Sequence, residues 1–257
     1  MTGIISIPLV PLRSESHDTS EMITQLLFGE CVDVLEVKDK WMYVSNCADG
    51  YKGWADRKMI HVLSTSQRDE IAGASSFCVP TPYIVVQKLS GGNLLLPGGS
   101  MLYQLKDGIF SFAGENYATE TLLYPVEHEK SGEQVCELAL QYLNAPFLWG
   151  GKSILGIDCS GLVQVVFSMI DIVLPRDAEQ QIEHGTVIDF LSEVQPGDLA
   201  FFEDNDGAIV HVGIMLNHRQ VLHAAGCVKI ENMDYQGIIS SRTGEYTHKL
   251  RLVKRLF

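Results

Sequence analysis

What the chain lacks narrows it first. Its six cysteines (Cys31, Cys47, Cys78, Cys136, Cys159 and Cys227) form no C-x-x-C pair and no short spacing. That disfavours a disulfide framework or a structural zinc site. No apolar run approaches the roughly 20 residues of a membrane span. Positive charge is scarce: 19 Lys and Arg stand against 32 Asp and Glu, a net charge of −13. This balance argues against a nucleic-acid or anionic-membrane partner. The stretch from Met1 to Pro11 has no basic residue ahead of its apolar positions, and Pro8 and Pro11 interrupt it. It reads as a first strand with a proline-marked edge, not as a signal peptide. The expected compartment is therefore the cytoplasm. No clean internal repeat is visible, and no metal or cofactor is called for.

What is present divides into three sections. With 257 residues, 46% of them hydrophobic, the chain can bury more than one core. Up to about residue 63 it reads as short strands, Cys31–Val37, Trp41–Ser45, Tyr51–Ala55 and Met59–Val62, with a helical turn over Ser20–Leu27. Such spacing predicts a small β-barrel. Ser64–Ala74 reads as a linker or helical turn. Residues 64–125 then continue as strands, Tyr83–Val86, Asn93–Leu96, Met101–Leu105 and Ile109–Phe112, predicting a second barrel of the same kind.

After Pro125 the pattern changes to helical spacing. Ser131 with Gln134 three residues on predicts a capping box, and an apolar helix follows Asp158 to about Ile170. Asp177 begins another helix that stops at Gly185. Strands Asp198–Phe202, Val210–Leu216, Gln220–Ala224, Val228–Glu231 and Lys249–Leu256 complete residues 126–257. Helices followed by antiparallel strands predict an α+β domain.

The chemistry concentrates around Trp149-Gly150-Gly151 and Gly156-Ile157-Asp158-Cys159-Ser160-Gly161. A cysteine at a helix N-terminus meets unpaired N–H groups and partial positive charge, which predicts a thiolate. Downstream lie His211, mid-strand among valines, and His223. A thiol, a histidine base and a polar residue that orients the base make a nucleophilic triad. The bland alternatives are a buried structural cysteine, strand histidines, and Asp158 and Asp177 as plain helix caps. The other histidines, His17, His61, His128, His184, His218 and His248, read as surface or structural.

Six pieces in order carry a resemblance: Trp149-Gly150-Gly151, Asp158-Cys159-Ser160-Gly161, Leu174-Pro175-Arg176-Asp177, Gln195-Pro196-Gly197-Asp198-Leu199, His211-Val212-Gly213-Ile214 and His223-Ala224. Residues 126–257 resemble the NlpC/P60 family of papain-like cysteine peptidases. The β sections resemble bacterial SH3 domains, best at Gly50-Tyr51-Lys52-Gly53-Trp54-Ala55. The arrangement is similar to the γ-D-glutamyl-L-diamino acid endopeptidases (dipeptidyl-peptidase VI), which recycle murein peptides.

The resemblance implies a monomeric enzyme without a cofactor, acting on a murein tripeptide or tetrapeptide. Cys159, His211 and His223 are its catalytic set. Asp158, Ser160 and Trp149 flank the substrate main chain. Asp177, beside Arg176, takes the free α-ammonium, and Tyr51 with a nearby acid, here Glu21, reaches the substrate N-terminus. Phe147 departs from the family pattern, which often has Tyr there; its hydroxyl is thought to help stabilise the oxyanion. A broader wall-remodelling endopeptidase is the first alternative. A non-catalytic murein-peptide-binding protein is the second, and acyl transfer on lipids is a third and weaker one.

Overall fold

The computed structural model describes residues 1–121 and 130–257. The chain divides into two compact units, Met1–Glu127 and His128–Phe257. The boundary expected at 125/126 lies outside the described residues; the one expected at 63/64 falls within the first unit.

The first unit opens with seven strands: β1 (Thr2–Ile5), β2 (Leu9–Arg13), β3 (Met22–Leu27), β4 (Cys31–Lys38), β5 (Trp41–Asn46), β6 (Lys52–Asp56) and β7 (Ile60–Val62). They form one antiparallel sheet in the order β3-β2-β6-β5-β4-β1-β7. Alternate residues point inward, as the two-residue period of a strand requires. Val10, Leu12, Leu26, Val32, Met42 and Val44 thus share a core. The helical turn expected over Ser20–Leu27 is instead β3, where Ile23 and Thr24 favour extended backbone and Val10 faces Leu26 in register.

Ser64 caps helix α1 (Thr65–Ala72) with a complete capping box through Gln67. Strands β8 (Ser76–Cys78), β9 (Tyr83–Lys88), β10 (Asn93–Pro97), β11 (Met101–Tyr103), β12 (Ile109–Phe112) and β13 (Glu115–Ala118) follow. They pair as a four-stranded sheet, β10-β9-β13-β12, and a two-stranded one, β11-β8. The two β sections do not have separate interiors. On β1, Ile5 turns into the first core, while its neighbour Ile4 joins Val79, Ile84, Val86, Phe110 and Phe112 in the second. Phe28 anchors that second core, with its ring centroid 4.7 Å from Phe112 and edge-on to Tyr117 at 5.8 Å.

In the second unit, α2 (Gly132–Leu140) starts at Ser131, whose hydroxyl accepts the Gln134 N–H at 3.2 Å. The reciprocal half of the expected box is missing, because Gln134 Oε1 has no partner among the described residues. A short hairpin, β14 (Lys152–Ser153) and β15 (Gly156–Ile157), leads into α3 (Cys159–Ser168). This helix buries Leu162, Val163, Val165, Val166 and Phe167, and so is central, as its uniformly apolar sequence requires. Helix α4 (Ala178–Gln181) is shorter than expected. The chain turns at Gly185, with φ +80°, so that Thr186 pairs with Arg255.

The remaining strands are β16 (Thr186–Ile188), β17 (Leu199–Glu203), β18 (Ile209–Asn217), β19 (Gln220–Ala225), β20 (Cys227–Met233), β21 (Gly237–Ile239) and β22 (Tyr246–Arg255). They run in the order β16-β22-β17-β18-β19-β20-β21, and β21 also pairs with β22. Six strands therefore close into a barrel around Ala200, Phe202, Met215, Val221, Met233 and Ile238. Among the described residues, strands dominate and helices are few. No helix among them is long and apolar enough to cross a membrane.

Candidate active site

Cys159 is the first residue of α3, so no preceding turn offers an acceptor for its backbone N–H. Asp158 caps the helix. Its Oδ1 accepts the Gly161 N–H at 2.7 Å and its Oδ2 the Gly150 N–H at 2.8 Å. One carboxylate thus ties the Gly150-Gly151 loop to the helix start. Gly161 permits this closeness: a Cβ there would lie 2.3 Å from the Gly151 carbonyl oxygen.

Arg176 completes the frame. Its Nη2 donates to Asp158 Oδ2 and its Nη1 to Ser160 Oγ at 2.7 Å, while Ser160 donates to Asp158 Oδ1 at 3.4 Å. Gln181 braces it by donating to the Ser160 and Pro175 carbonyls. Asp158, Ser160 and Arg176 are 4%, 7% and 2% exposed. Asp158 and Ser160 were expected beside the substrate main chain and Arg176 beside nearby carboxylates; in the structure the three bond to one another and brace the start of the Cys159 helix.

Beside the helix start, β18 carries His211 and β19 carries His223, both buried. His211 Nε2 lies 2.9 Å from His223 Nδ1. His223 Nε2 lies 3.0 Å from Glu231 Oε2, on β20. His223, expected to orient His211, thus lies within hydrogen-bond distance of it, and a buried carboxylate not singled out in the sequence stands behind it. Its signal was available: on an extended strand Glu231 shares a face with Lys229, and Lys229 pairs across with His223. His248, expected as surface or structural, lies against the pair. Its ring stacks on His211, with centroids 4.3 Å apart at 27°. Nothing local to its sequence marks it, since β22 reaches that position only through barrel closure.

The protonation states differ from the sequence expectation. Burial pushes the Cys159 thiol up to about 11, and the Asp158 carboxylate acts in the same direction. The backbone N–H groups of Val212 and Ser160, and the Arg176 charge, pull the other way without prevailing. Burial holds His211 well below its ordinary value, aided by His248 and His223. Burial likewise lowers His223 to about 4, against the pull of Glu231. The resting pair at neutral pH is thiol and imidazole, not the preformed thiolate that a helix N-terminus alone predicts. Desolvation outweighs the helix-end field here. The action of the Val212 N–H on the thiol also locates Cys159 beside the strand position that follows His211.

Among the other expected residues, Trp149 is 62% exposed on the Gly-rich loop. Asp177 sits at the N-cap position of α4 without a side-chain cap bond to that helix. Tyr51 and Glu21 belong to the first unit. There Tyr51 packs against the barrel core and its N–H donates to Asp49 Oδ1 at 2.9 Å, while Glu21 is exposed and its carbonyl accepts the Ser14 N–H. Phe147 is partly exposed and pairs with Ile157. A groove of about 730 Å³, lined by Glu203, Asp204, Tyr235, Tyr246, His248 and Lys249, adjoins the histidines through His248.

A thiol at a helix start, a histidine held by a second histidine and a carboxylate behind both make a nucleophilic-hydrolase type of site. Comparison with known proteins agrees. Residues 144–247 match the NlpC/P60 family, and residues 12–60 match the bacterial dipeptidyl-peptidase Sh3 domain. The chain carries an NlpC/P60 domain preceded by a bacterial SH3 domain. It is 28% identical over 221 residues to a gamma-D-glutamyl-L-lysine dipeptidyl-peptidase of Bacillus subtilis (strain 168), covering 78% of this chain and 71% of that one. It is 28% identical over 261 residues to dipeptidyl-peptidase 6 of Lysinibacillus sphaericus, covering 92% and 93%. In fold it is similar to a crystal structure of an NlpC/P60 family protein from Bacillus cereus ATCC 10987, with TM-score 0.85 at 17% identity, covering 100% of this chain and 99% of the other.

Proposed function

We propose that this protein is a cysteine peptidase that hydrolyses the γ-D-glutamyl–L-diamino acid bond of murein peptides bearing a free N-terminal L-Ala. The observation that carries the reading is the His223-held His211 on a strand whose next residue, Val212, turns its N–H on the Cys159 thiol, in a domain of the NlpC/P60 family. The similarity to two dipeptidyl-peptidases along most of the chain supports the substrate class.

His211 Nε2 is committed to His223, which leaves Nδ1 to receive the thiol proton. The Cys159 sulfur attacks the γ-carbonyl carbon as that proton leaves. The developing oxyanion meets the backbone N–H of Cys159 at the helix start. Protonated His211 then gives its proton to the leaving α-amine of the diamino acid. Water, deprotonated by His211, cleaves the thioester and releases L-Ala-γ-D-Glu. Since thiol and imidazole are both neutral at rest, proton transfer accompanies substrate arrival and the loss of water from the site.

Asp177 is the proposed clamp on the free ammonium and Trp149 the proposed wall beside the substrate main chain; Tyr51 and Glu21 are each proposed as substrate-binding residues of the first unit. Residues 64–121 are proposed as a second SH3-like module. A requirement for a free amine would restrict the enzyme to peptides already released from sugar, and recycling in the cytoplasm is its proposed setting.

The test is mass spectrometry of L-Ala-γ-D-Glu-meso-diaminopimelate and its Lys counterpart, each with and without N-acetylation, with Cys159→Ala as control. Release of L-Ala-γ-D-Glu only from free-amine peptides supports the reading. Equal cleavage of acetylated peptides removes the clamp and favours wall remodelling. No cleavage of any favours a murein-peptide-binding protein.

A further inference from the structure

We propose that Glu231 is a positioning residue: acting through His223, it fixes which nitrogen of His211 carries the lone pair that takes the Cys159 proton. The inference rests on the reading of Cys159 and His211 as nucleophile and base.

Glu231 is 3% exposed. Its Oε1 accepts the Ser241 N–H at 3.0 Å and the Ser241 hydroxyl at 3.2 Å. Its Oε2 lies 3.1 Å from Lys229 Nζ and 3.0 Å from His223 Nε2. Four donors converge on one buried carboxylate, and such convergence keeps it ionised. Burial alone would raise its pKa, yet the Ser241 N–H, Lys229 and His223 together hold it below the ordinary glutamate value.

An ionised carboxylate only accepts hydrogen bonds. His223 Nε2 must therefore carry a hydrogen. His223 is fully buried and neutral, so its Nδ1 carries the lone pair. His211 Nε2, 2.9 Å from that Nδ1, must then be the donor. Neutral His211 has one ring hydrogen, and it is now placed on Nε2, which leaves Nδ1 bare to accept from the thiol. The proton pattern is thus dictated from the closed end of the network outward. His248 does not compete for these nitrogens: it lies over the His211 ring face, and its own Nδ1 faces Thr247 Oγ1 at 2.9 Å.

The bland alternative is that Glu231 only neutralises Lys229 and pins the turn at Ser241. Glu231→Gln separates the two. The Ser241 backbone N–H keeps the amide oxygen, which turns the amide NH₂ toward His223 Nε2. That nitrogen must now accept, so His223 Nδ1 becomes the donor and the hydrogen of His211 shifts to Nδ1. The variant keeps its shape and loses its base.

The experiment uses the full chain and needs no substrate. Iodoacetamide modification of Cys159 is followed by peptide mass spectrometry, which separates it from the other cysteines, from pH 5 to 10. The titratable and charged groups around His211 are His223, His248 and Lys229, with Glu231 behind them; the Cys159 thiol lies by the Val212 N–H, with Asp158 and Arg176 at the helix start. Glu231→Gln is expected to slow modification at pH 7 at least about tenfold, against the roughly 10⁴-fold seen when a triad histidine is held in the wrong tautomer. The deficit should narrow steadily as pH rises toward 10, as a growing fraction of the thiol, which burial pushes up to about 11, loses its proton to solvent without help. In a His223→Asn background the asparagine oxygen accepts from His211 Nε2 by itself, and Glu231→Gln should change little.

Nitrogen-15 NMR of the wild-type histidines is expected to show the Nε2–H form for both His211 and His223 at pH 7. Finding His211 as Nδ1–H overturns the proposal, whether or not any variant folds. A pH-independent deficit, or the same deficit in the His223→Asn background, also overturns it and leaves a purely structural role. Because alkylation is read without a peptide, a Glu231-dependent profile with no peptide cleavage would refute the proposed substrate and keep this inference.

Discussion

Mild acid should destabilise the second unit through its buried histidines, well before the carboxylates titrate. His223 is fully buried and its value falls from 6.5 to about 4 on folding. In the unfolded chain it takes up a proton near pH 6.5; in the folded one it resists until about pH 4. The unfolded state thus binds more protons throughout that window. Stability is complete above the unfolded value, falls as pH drops through 6.5, and stops falling below about 4. Between pH 7 and pH 5 the loss from His223 alone is about 1.8 kcal/mol. His211 shifts in the same direction and adds to it. Burial is the main reason; in the proton pattern proposed above, a second hydrogen on His223 would also point its Nδ1–H at the His211 Nε2–H.

Amide hydrogen exchange at the slowest sites of β18 and β19, corrected for intrinsic rate, reports the opening free energy at each pH. His223→Asn should reduce the slope by about one proton. An opening free energy that is level from pH 7 to 5, or a slope unchanged by His223→Asn, would refute the reasoning.

Three further outcomes are expected. Gly161→Ala should cost about 1–3 kcal/mol, because the new methyl meets the Gly151 carbonyl at 2.3 Å and backbone cannot yield as a side chain would; thermal denaturation checks it, and an unchanged midpoint would show that the loop shifts freely. Arg176→Met should cost about 3–5 kcal/mol by leaving the Asp158 carboxylate buried without its guanidinium, and should also slow Cys159 alkylation, since the Arg176 charge favours the thiolate. Phe147→Tyr is expected to raise kcat by up to about 10²-fold if its hydroxyl reaches the oxyanion; an unchanged kcat would show that the N–H at the helix start already suffices.

Local signals were the ones that sequence alone could deliver. Alternation along Trp41–Ser45, the Ser131 cap and the run after Asp158 all depend on neighbours a few residues away. Cys159, His211 and His223 stood out because six short pieces occur in order, and the structure sets His211 against His223. Features made by closure were not: β21 spans only three residues, and His248 reaches His211 only because β22 pairs with both β17 and β21. Ser20–Leu27 was misread because a short segment between turns has no period long enough to separate helix from strand. The thiol was misjudged for a related reason. The helix end is written beside Cys159, whereas its desolvation comes from residues far along the chain.

Ile4 and Ile5 carry a consequence for how such proteins are assembled from parts. Adjacent positions on one strand feed two interiors, so the two β sections cannot be exchanged between proteins as independent cassettes. Excising residues 64–121 would strip the cover from Ile4 and Phe28 and leave an apolar face on the barrel that remained. Inheritance of the first section therefore constrains the second. The first core can be assembled once residue 62 has been made, while the second must wait for Tyr117, which gives synthesis of this unit a built-in order.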